Sequence, residues 1–380
     1  MKYVSSKVAI TGDGQVVDDA VIAIGDDGKI AAILDAVPEG GEHVDWSAYV
    51  VIPGLIDAHD HLSIDLGDEE AQSKESVATH MIRSVRNAKK ILHAGITTVR
   101  DVGARDYIDV ELRDAFARGE IEGPRLVVSG QFITRTGGHA WYFADEADGP
   151  DAVVRAVRKQ AKHNVDLIKL MVTGGIGTPN SDPCQAGFSK AEIAAAVTEA
   201  HTLGYKVSGH IHGGPAARWS IESGLDTLEH GIFLTDDDLR AMVDHGTYLV
   251  VTYGLIDLAL SLPHVPAFYK AKARTAKASY DGVLRKAVEY GVKIAGGGDT
   301  YHADMPEELS ALVKAGMTPL QALAAGTRNG AEASGVLDHT GTIAVGKDAD
   351  LVALARDPRD DVAAVGDVRG VMKQGTLVRL

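Results

Sequence analysis

The sequence predicts an α/β fold, a (β/α)8 TIM barrel with a small β-sandwich domain formed from both chain termini. The first observation is that short apolar runs alternate with helical spacing or Gly-rich loops from about residue 53 to residue 335. The second is that both chain ends carry short strand-like segments without helices. An open, doubly wound sheet is the alternative architecture for the alternating region.

The two chain ends share one sequence pattern, that of short strands. Strands are expected at residues 8–10, 20–24 and 29–34, and again at 350–354, 368–372 and 376–380, with Gly- and Asp-rich turns between the early strands. Neither end is long enough to bury a core of its own. We therefore expect one β-sandwich domain from residues 1–52 and 336–380, with the barrel domain of residues 53–335 inserted between them.

Eight apolar runs are the expected barrel strands, at residues 50–56, 96–100, 125–128, 167–172, 206–208, 227–228, 248–252 and 292–295. Segments with helical spacing, such as residues 190–203 and 236–245, lie between them. Active sites of such barrels lie where the strand C-termini meet the following loops. Polar residues at those positions are therefore the candidate functional residues.

Composition limits the classes of function. The chain has 380 residues, 45% of them hydrophobic, and a formal net charge of −15. Such a surface repels nucleic acid and anionic membranes, so we expect a small-molecule substrate and neither of those partners. Cys184 is the only cysteine, which excludes an intramolecular disulfide and fits a reducing compartment. The N-terminus lacks the apolar core of a signal peptide, and a cytoplasmic location is expected.

The first expected strand ends in a pair of histidines, His59 and His61. Residues i and i+2 of a strand project to the same side, so both imidazoles can face one point while Asp60 faces elsewhere. Imidazole is a common ligand of zinc and similar metals. Alone, the pair could equally be two idle histidines at the end of an exposed strand.

Further candidate functional residues lie in or just after other expected strands. Lys169 lies inside the fourth, where a buried ammonium is costly. Either a carboxylate pairs with it, or the uncharged amine reacts with carbon dioxide to give an anionic carbamate that can bridge two metals. His210 and His212 end the fifth strand, His230 the sixth, and Asp299 follows a glycine run after the eighth. Such a set on five strand ends favours a metal site over separate structural roles.

This combination resembles the amidohydrolase superfamily of metal-dependent hydrolases. The resemblance implies two divalent metal ions, zinc by expectation, held by His59, His61, Lys169, His210, His230 and Asp299, with Lys169 carboxylated as the bridging ligand. The segments Gly137-Gly-His139, Lys169 to Gly175 and Leu228-Glu-His230-Gly are similar to one branch of it. That branch holds Xaa-Pro and Xaa-Arg/Lys dipeptidases, ochratoxinase-like amidases and imidazolonepropionase-related proteins.

The resemblance also implies a mechanism, in which Asp299 takes a proton from a hydroxide shared by the metals and passes it to the leaving amine. His212 and His139 are candidate substrate contacts, with supporting hydrogen-bonded roles as the alternative. Tyr253 could hydrogen-bond the tetrahedral intermediate or simply pack. Members of the superfamily are often dimeric or larger, so a homo-oligomer is expected.

Three functions stay open on the sequence. The first is a zinc-dependent amidohydrolase that cleaves the C–N bond of a dipeptide or an N-acyl amino acid. The second is a cyclic-amide hydrolase or deaminase on the same scaffold, for which one metal and an unmodified Lys169 are expected. The third is a metal-free scaffold that kept the fold without catalysis, against which the complete ligand set argues.

Overall fold

The computed structural model describes residues 1–379. The strands are β1 (Lys2–Ile10), β2 (Val16–Asp18), β3 (Val21–Ile24), β4 (Ile30–Leu34), β5 (Glu42–Pro53), β6 (Leu55–Asp60), β7 (Ile96–Asp101), β8 (Arg125–Val128), β9 (Ile133–Thr134), β10 (Asp145–Glu146), β11 (Leu167–Met171), β12 (Lys206–Gly213), β13 (Thr227–Phe233), β14 (Tyr248–Val251), β15 (Ile294–Gly296), β16 (Leu351–Leu354), β17 (Val368–Lys373) and β18 (Thr376–Arg379). The helices are α1 (Glu69–Ser73), α2 (Val77–His93), α3 (Ile108–Ala117), α4 (Pro150–Lys162), α5 (Lys190–Thr202), α6 (Pro215–Glu222), α7 (Asp236–His245), α8 (Gly254–Ser261), α9 (Ala267–Tyr290), α10 (Met305–Lys314), α11 (Pro319–Ala325) and α12 (Arg328–Ala333).

Strands from both chain ends form one eight-stranded sheet, in the order β18-β17-β16-β5-β1-β3-β4, with β2 paired to β1. The two ends meet where β5 pairs antiparallel with β16, for example Val51 opposite Ala353. Val4, Ile22 and Trp46 bury their side chains in the core cluster of this sheet. The expected joining of the termini is therefore observed, whereas a sandwich of two sheets stays a prediction. Leu380, the end of the last predicted strand, lies outside the described residues.

The strands between the two ends run parallel. They pair as β6-β7-β8 and as β10-β9-β11-β12-β13-β14-β15. The backbone also joins the two groups. The amide of Asp299, just after β15, donates to the carbonyl of His59 on β6 (2.6 Å), and the amide of Asp166, just before β11, donates to the carbonyl of Val128 on β8 (2.7 Å). Each of the eight expected strand positions thus contains a parallel strand, and the ends of these strands lie side by side.

One predicted strand is wrong in its bounds. Residues 50–56 read as a single apolar run, but β5 ends at Pro53 in the terminal sheet and β6 begins at Leu55 among the parallel strands. The chain passes from the terminal sheet to the parallel strands at Gly54, whose amide donates to the carbonyl of Asp350 (2.8 Å). A Cβ at this position would lie 2.0 Å from the hydroxyl oxygen of Thr97, so only glycine allows the two sheets to approach this closely.

The connecting helices begin at capping residues that the sequence supplies. Ser189 before α5 and Thr235 before α7 each form a reciprocal capping box with the residue three positions later. Helix α5 then buries Ile193, Ala196, Val197 and Ala200, the spacing of one helical face packed on the sheet. None of the helices within residues 1–379 combines the length and apolar composition that a membrane span needs.

We predict that Arg125 stabilises the contact between the parallel strands and the terminal sheet. Its guanidinium donates to Thr98 on β7 (2.9 Å), to Asp350 (2.8 Å) and to Asp348 (2.7 Å), and the Asp350 side chain is only 1% exposed. Arg125→Met would leave two carboxylates short of their countercharge. We expect the free energy of unfolding, measured by urea titration, to fall by about 2–3 kcal/mol.

The control variant is Arg118→Met, because Arg118 pairs with Glu120 at a site where both side chains are 56% exposed. A pair so exposed to water contributes little, so no measurable loss of stability is expected. Equal unfolding midpoints for the two variants would contradict the structural role assigned to Arg125.

Candidate metal centre

The candidate ligands lie on neighbouring strand ends and all are buried or nearly so. The register of the parallel strands places Lys169 beside Ser208, Met171 beside His210, and His210 beside Glu229. The side chains gathered at this edge are those of His59, His61, Lys169, His210, His212, His230 and Asp299. Residues far apart in the sequence are thus brought to one place by strand pairing alone.

His59, His61 and Asp299 form one group. One potential ligand atom from each lies within 4.8 Å of the other two. The Nδ1 atom of His59 lies 2.7 Å from Oε2 of Glu229, and Nδ1 of His61 lies 2.9 Å from the carbonyl of Gly103. Because both partners are acceptors, each Nδ1 carries the proton, and each Nε2 keeps a lone pair that can bind a cation.

His210 and His230 form a second group beside the first. The Nδ1 atom of His210 and the Nε2 atom of His230 face each other at 2.9 Å. The ring of His230 lies 4.8 Å from that of His59, and its Nδ1 lies 2.8 Å from the Thr252 hydroxyl and 3.9 Å from the Asp299 carboxylate. The two groups therefore share one small volume.

Lys169 lies beneath these groups, with no exposed surface. No hydrogen-bond partner of its Nζ atom is found among the described residues. Burial lowers the pKa of Lys169 to about 8, although the Glu229 carboxylate acts in the opposite direction. Burial therefore makes the uncharged, nucleophilic form of this amine more accessible near neutral pH than it is for a lysine in water, although the charged form still predominates.

Glu229 accepts hydrogen bonds from several residues around the centre. It was not singled out from the sequence. It accepts two hydrogen bonds from the Arg100 guanidinium (2.9 and 3.0 Å), one from Ser208 (2.7 Å) and one from His59. Burial raises the pKa of Glu229, but the charges of Arg100 and Lys169 and these hydrogen bonds outweigh burial and leave it below its usual value. The sequence contains one indication of this carboxylate. Arg100 lies inside an apolar strand, and a buried arginine requires a buried carboxylate as its partner.

The imidazoles of the centre are neutral. Burial, followed by the charges of neighbouring groups, lowers the pKa of His59, His210 and His230 well below the usual value. The same cause lowers the pKa of His61 and His212 to about 3. Neutral imidazoles are the form that binds metal ions, so the electrostatics of the fold favour ligation over protonation.

The backbone at two of these residues is in the left-handed region. His230 has φ 71° and Asp299 has φ 56°, which side-chain-bearing residues rarely adopt. Beside them, a Cβ on Gly297 would lie 2.6 Å from the Cβ of His59. Strained and glycine-dependent backbone is typical of functional sites, because packing holds it in place for the geometry it provides.

A cavity opens above the candidate ligands. His61, His210, His230 and Asp299 line it on one side. Apolar side chains form most of the remainder, namely Ile64, Phe132, Phe143, Met171, Ile176, Ile232, Leu255, Ile256 and Tyr269. Such a mostly apolar cleft with a few convergent polar groups is the usual form of a small-molecule site.

Two of the predicted substrate contacts reach this cavity. His139 lies 4.3 Å from the His210 ring, centre to centre, and its Nδ1 is 2.7 Å from the Thr178 hydroxyl. A Cβ on Gly175 would lie 2.3 Å from the His139 ring, so glycine is required there. Neither ring nitrogen of His212 has a hydrogen-bond partner within residues 1–379, which leaves both available to a ligand.

For Tyr253, the structure favours the packing alternative over a contact with the tetrahedral intermediate. Its hydroxyl donates to Asp281 on α9, and its ring packs 5.3 Å from that of Tyr280. The residue already has helical backbone angles (φ −72°, ψ −43°) as the cap of α8, so the alternation of a strand no longer directs its side chain. It lies away from the cavity that the other candidates line.

The donor set fits divalent metal ions. Imidazole nitrogens and a carboxylate are the ligands that zinc and similar ions take in proteins. The buried Nε2 atoms of His59 and His210 and the Nζ atom of Lys169 have no hydrogen-bond partner among the described residues. Buried polar atoms are normally satisfied, and these three exceptions are of the kind that bound ions would satisfy.

The chain belongs to the amidohydrolase family, whose sequence model matches residues 50–378. It is 29% identical to ochratoxinase of Aspergillus niger, over 95% of this chain and 82% of the relative. It is 26% identical to imidazolonepropionase of Geobacillus sp., over 90% of this chain and 83% of that one. Among solved structures it resembles a Xaa-Pro dipeptidase with bound methionine in the active site, with a TM-score of 0.93, 29% identity and full coverage of both chains. The resemblance noted in the sequence, including its branch, is thereby confirmed.

We predict that Glu229→Gln lowers the affinity of the centre for Zn²⁺ by about tenfold to a hundredfold, because groups that orient metal-binding histidines have effects of this size. The change removes the charge that faces Arg100 and weakens the acceptor of the His59 Nδ1 proton. Equilibrium dialysis with a competing chelator measures the affinity, and a melting curve establishes that the variant is folded.

Glu222→Gln is the matched control, since that carboxylate pairs with Lys190 on the surface, where the two side chains are 41% and 58% exposed. Its metal affinity should equal that of the unaltered chain. A folded Glu229→Gln variant with undiminished affinity would contradict the role given to Glu229.

Proposed function

We propose that this chain is a zinc-dependent amidohydrolase that cleaves the C–N bond of a dipeptide or an N-acyl amino acid. The observation that carries the proposal is the convergence of His59, His61, Lys169, His210, His230 and Asp299 at one apolar cavity. Families of known metal hydrolases assemble their sites from such donors at strand C-termini. The Xaa-Pro dipeptidase structure with methionine in its active site supports a substrate built from amino acids.

We further propose which residues hold the ions. His59, His61 and Asp299 would hold one, His210 and His230 the other, and a carboxylated Lys169 would be shared by both. Bound divalent ions would supply a hydroxide at neutral pH and polarise the substrate carbonyl. The support is the proximity of the two donor groups and the buried amine of Lys169, which has no hydrogen-bond partner among the described residues.

The residues of the chain would then position the substrate and move one proton. Asp299 is the proposed acceptor of the proton of the attacking water, and the proposed donor of the same proton to the leaving amine. The support for this role is the place of Asp299 in the cavity lining beside His230, whose Nδ1 lies 3.9 Å from its carboxylate. His212 and His139, which line the cavity, would orient the substrate oxygen atoms.

The proposed architecture that carries this site is a closed (β/α)8 barrel of residues 53–335, beside a terminal domain of residues 1–52 and 336–380. The hydrogen bond between Asp299 and His59 and the one between Asp166 and Val128 support closure, since they join the two parallel groups at both of their edges. Closure matters for function because it would place the ends of all eight strands around a single cavity.

The second candidate function is hydrolysis or deamination at a ring, and the similarity to imidazolonepropionase favours it. The number of metal ions distinguishes the candidates. Two ions per chain and a carbon dioxide adduct on Lys169, detected by intact-protein mass spectrometry, support the amide hydrolase. One ion per chain with unmodified Lys169, together with activity on cyclic amides alone, supports the alternative.

We predict that Lys169→Ala lowers hydrolysis of a panel of dipeptides and N-acyl amino acids by about a thousandfold or more, a loss of about 4 kcal/mol of transition-state stabilisation. The variant should retain fewer metal ions, and small carboxylic acids should restore part of the activity by replacing the lost carbamate. Lys190→Ala, on an exposed side chain, is the control and should keep full activity. Full activity in Lys169→Ala would exclude a bridging carbamate.

A further inference from the structure

One carboxylate in the cavity has no role in the proposed metal centre. Glu69 is the first residue of α1, and with Asp299 it is one of the two acidic side chains that line the cavity. Most of the side chains that line the same cavity are apolar, Ile176 and Tyr269 among them. Burial of a carboxylate among apolar side chains costs desolvation free energy. A specific function is therefore the natural explanation for its presence.

The protein fixes this carboxylate in place. The Tyr142 hydroxyl donates to Oε2 of Glu69 (3.1 Å). On the other side, a Cβ on Gly177 would lie 2.5 Å from Oε1, so the loop after β11 presses its glycine backbone against the acid. No donor to Oε1 is found among the described residues, and this oxygen is therefore the one available to a ligand.

The charge around Glu69 defines the kind of ligand. Neither a lysine nor an arginine lines the cavity within residues 1–379, and Glu69 forms no ion pair in that part of the chain. Burial, followed by the negative charge of Asp299, raises the pKa of Glu69 to about 7. An anionic ligand group would be repelled there, whereas an ammonium group would favour the ionised carboxylate and be stabilised by it.

We propose that Glu69 binds the α-ammonium group of the substrate, so that the chain prefers dipeptides with a free, apolar N-terminal residue over N-acyl amino acids. The inference rests on the proposed amide hydrolysis and narrows its substrate class. An ammonium beside an apolar side chain is the chemistry of an unblocked hydrophobic residue, and it matches an isolated acid set in an apolar wall. Acylation would remove the charge and place a bulkier group against Glu69.

The experiment compares matched substrates on the full chain supplied with Zn²⁺ or Mn²⁺. Phenylalanyl-, leucyl- and methionyl-dipeptides are assayed beside their N-acetyl forms and the forms in which hydrogen replaces the amino group. We expect kcat/KM to favour the free amines by about tenfold or more, the size of a charge-assisted hydrogen bond. Glu69→Gln should lower kcat/KM about tenfold to a hundredfold for the free amines, mainly through KM, and leave the other substrates within about twofold.

Glu70→Gln is the control, because Glu70 is the next residue of α1 and forms an exposed pair with Lys74. Its substrate preference should be that of the unaltered chain. The ratio of kcat/KM for free amines to kcat/KM for blocked substrates is measured in the unaltered chain and in Glu69→Gln. The same ratio in both proteins would overturn the inference. Hydrolysis of N-acyl amino acids alone would overturn it and leave the amide hydrolase standing, whereas hydrolysis of neither class would overturn the proposed function itself.

A second measurement does not depend on the folding of a variant. Phenylalaninamide and hydrocinnamamide differ only in the amino group, and each is tested as a competitive ligand of the unaltered chain. The inference requires phenylalaninamide to bind about tenfold or more tightly, in line with one charge-assisted contact. Equal affinity for the two amides would refute a role of Glu69 in ammonium binding, whatever the behaviour of Glu69→Gln.

Discussion

The ion pair between Arg100 and Glu229 is the interaction on which the centre depends. Arg100 lies on β7 and Glu229 on β13, which are not neighbours in either parallel sheet, so their hydrogen bonds cross the interior. Through Ser208 and His59, the same carboxylate also contacts β12 and β6. A buried pair of this kind adds little net stability, but loss of one partner is costly, so its value lies in fixing the positions of four strand ends.

This pair also sets the state of Lys169. Burial lowers the pKa of the lysine, Glu229 acts to raise it, and Arg100 acts to lower it again. Without the carboxylate the amine would be neutral but without a charged partner in the low-dielectric interior. Without the arginine it would be drawn into a simple salt bridge with Glu229. The two members of the ion pair therefore influence the pKa of the buried amine in opposite directions.

The sequence signal for the candidate ligands is local. A strand places residues i and i+2 on one side, so the spacing alone pairs His59 with His61 and His210 with His212. The sequence predicts poorly what depends on distant contacts or on where a strand ends. The partner of Arg100 lies 129 positions away, the run at residues 50–56 is divided between two sheets at Gly54, and Tyr253 leaves the strand direction because α8 has begun.

The main chain positions both groups of candidate ligands. At Asp299 the amide donates to the carbonyl of His59, and the carbonyl accepts from the amide of His61 (3.3 Å). The main chain therefore couples the three ligands of the first group, and the left-handed conformation of Asp299 is part of that coupling. His210 and His230 lie on β12 and β13, whose backbone pairing places His210 opposite Glu229 and His230 opposite Ile211, and their side chains contact each other and Thr252. Both groups are thus positioned by backbone hydrogen bonds between neighbouring strands, which explains how residues so far apart in the sequence come to lie at one place.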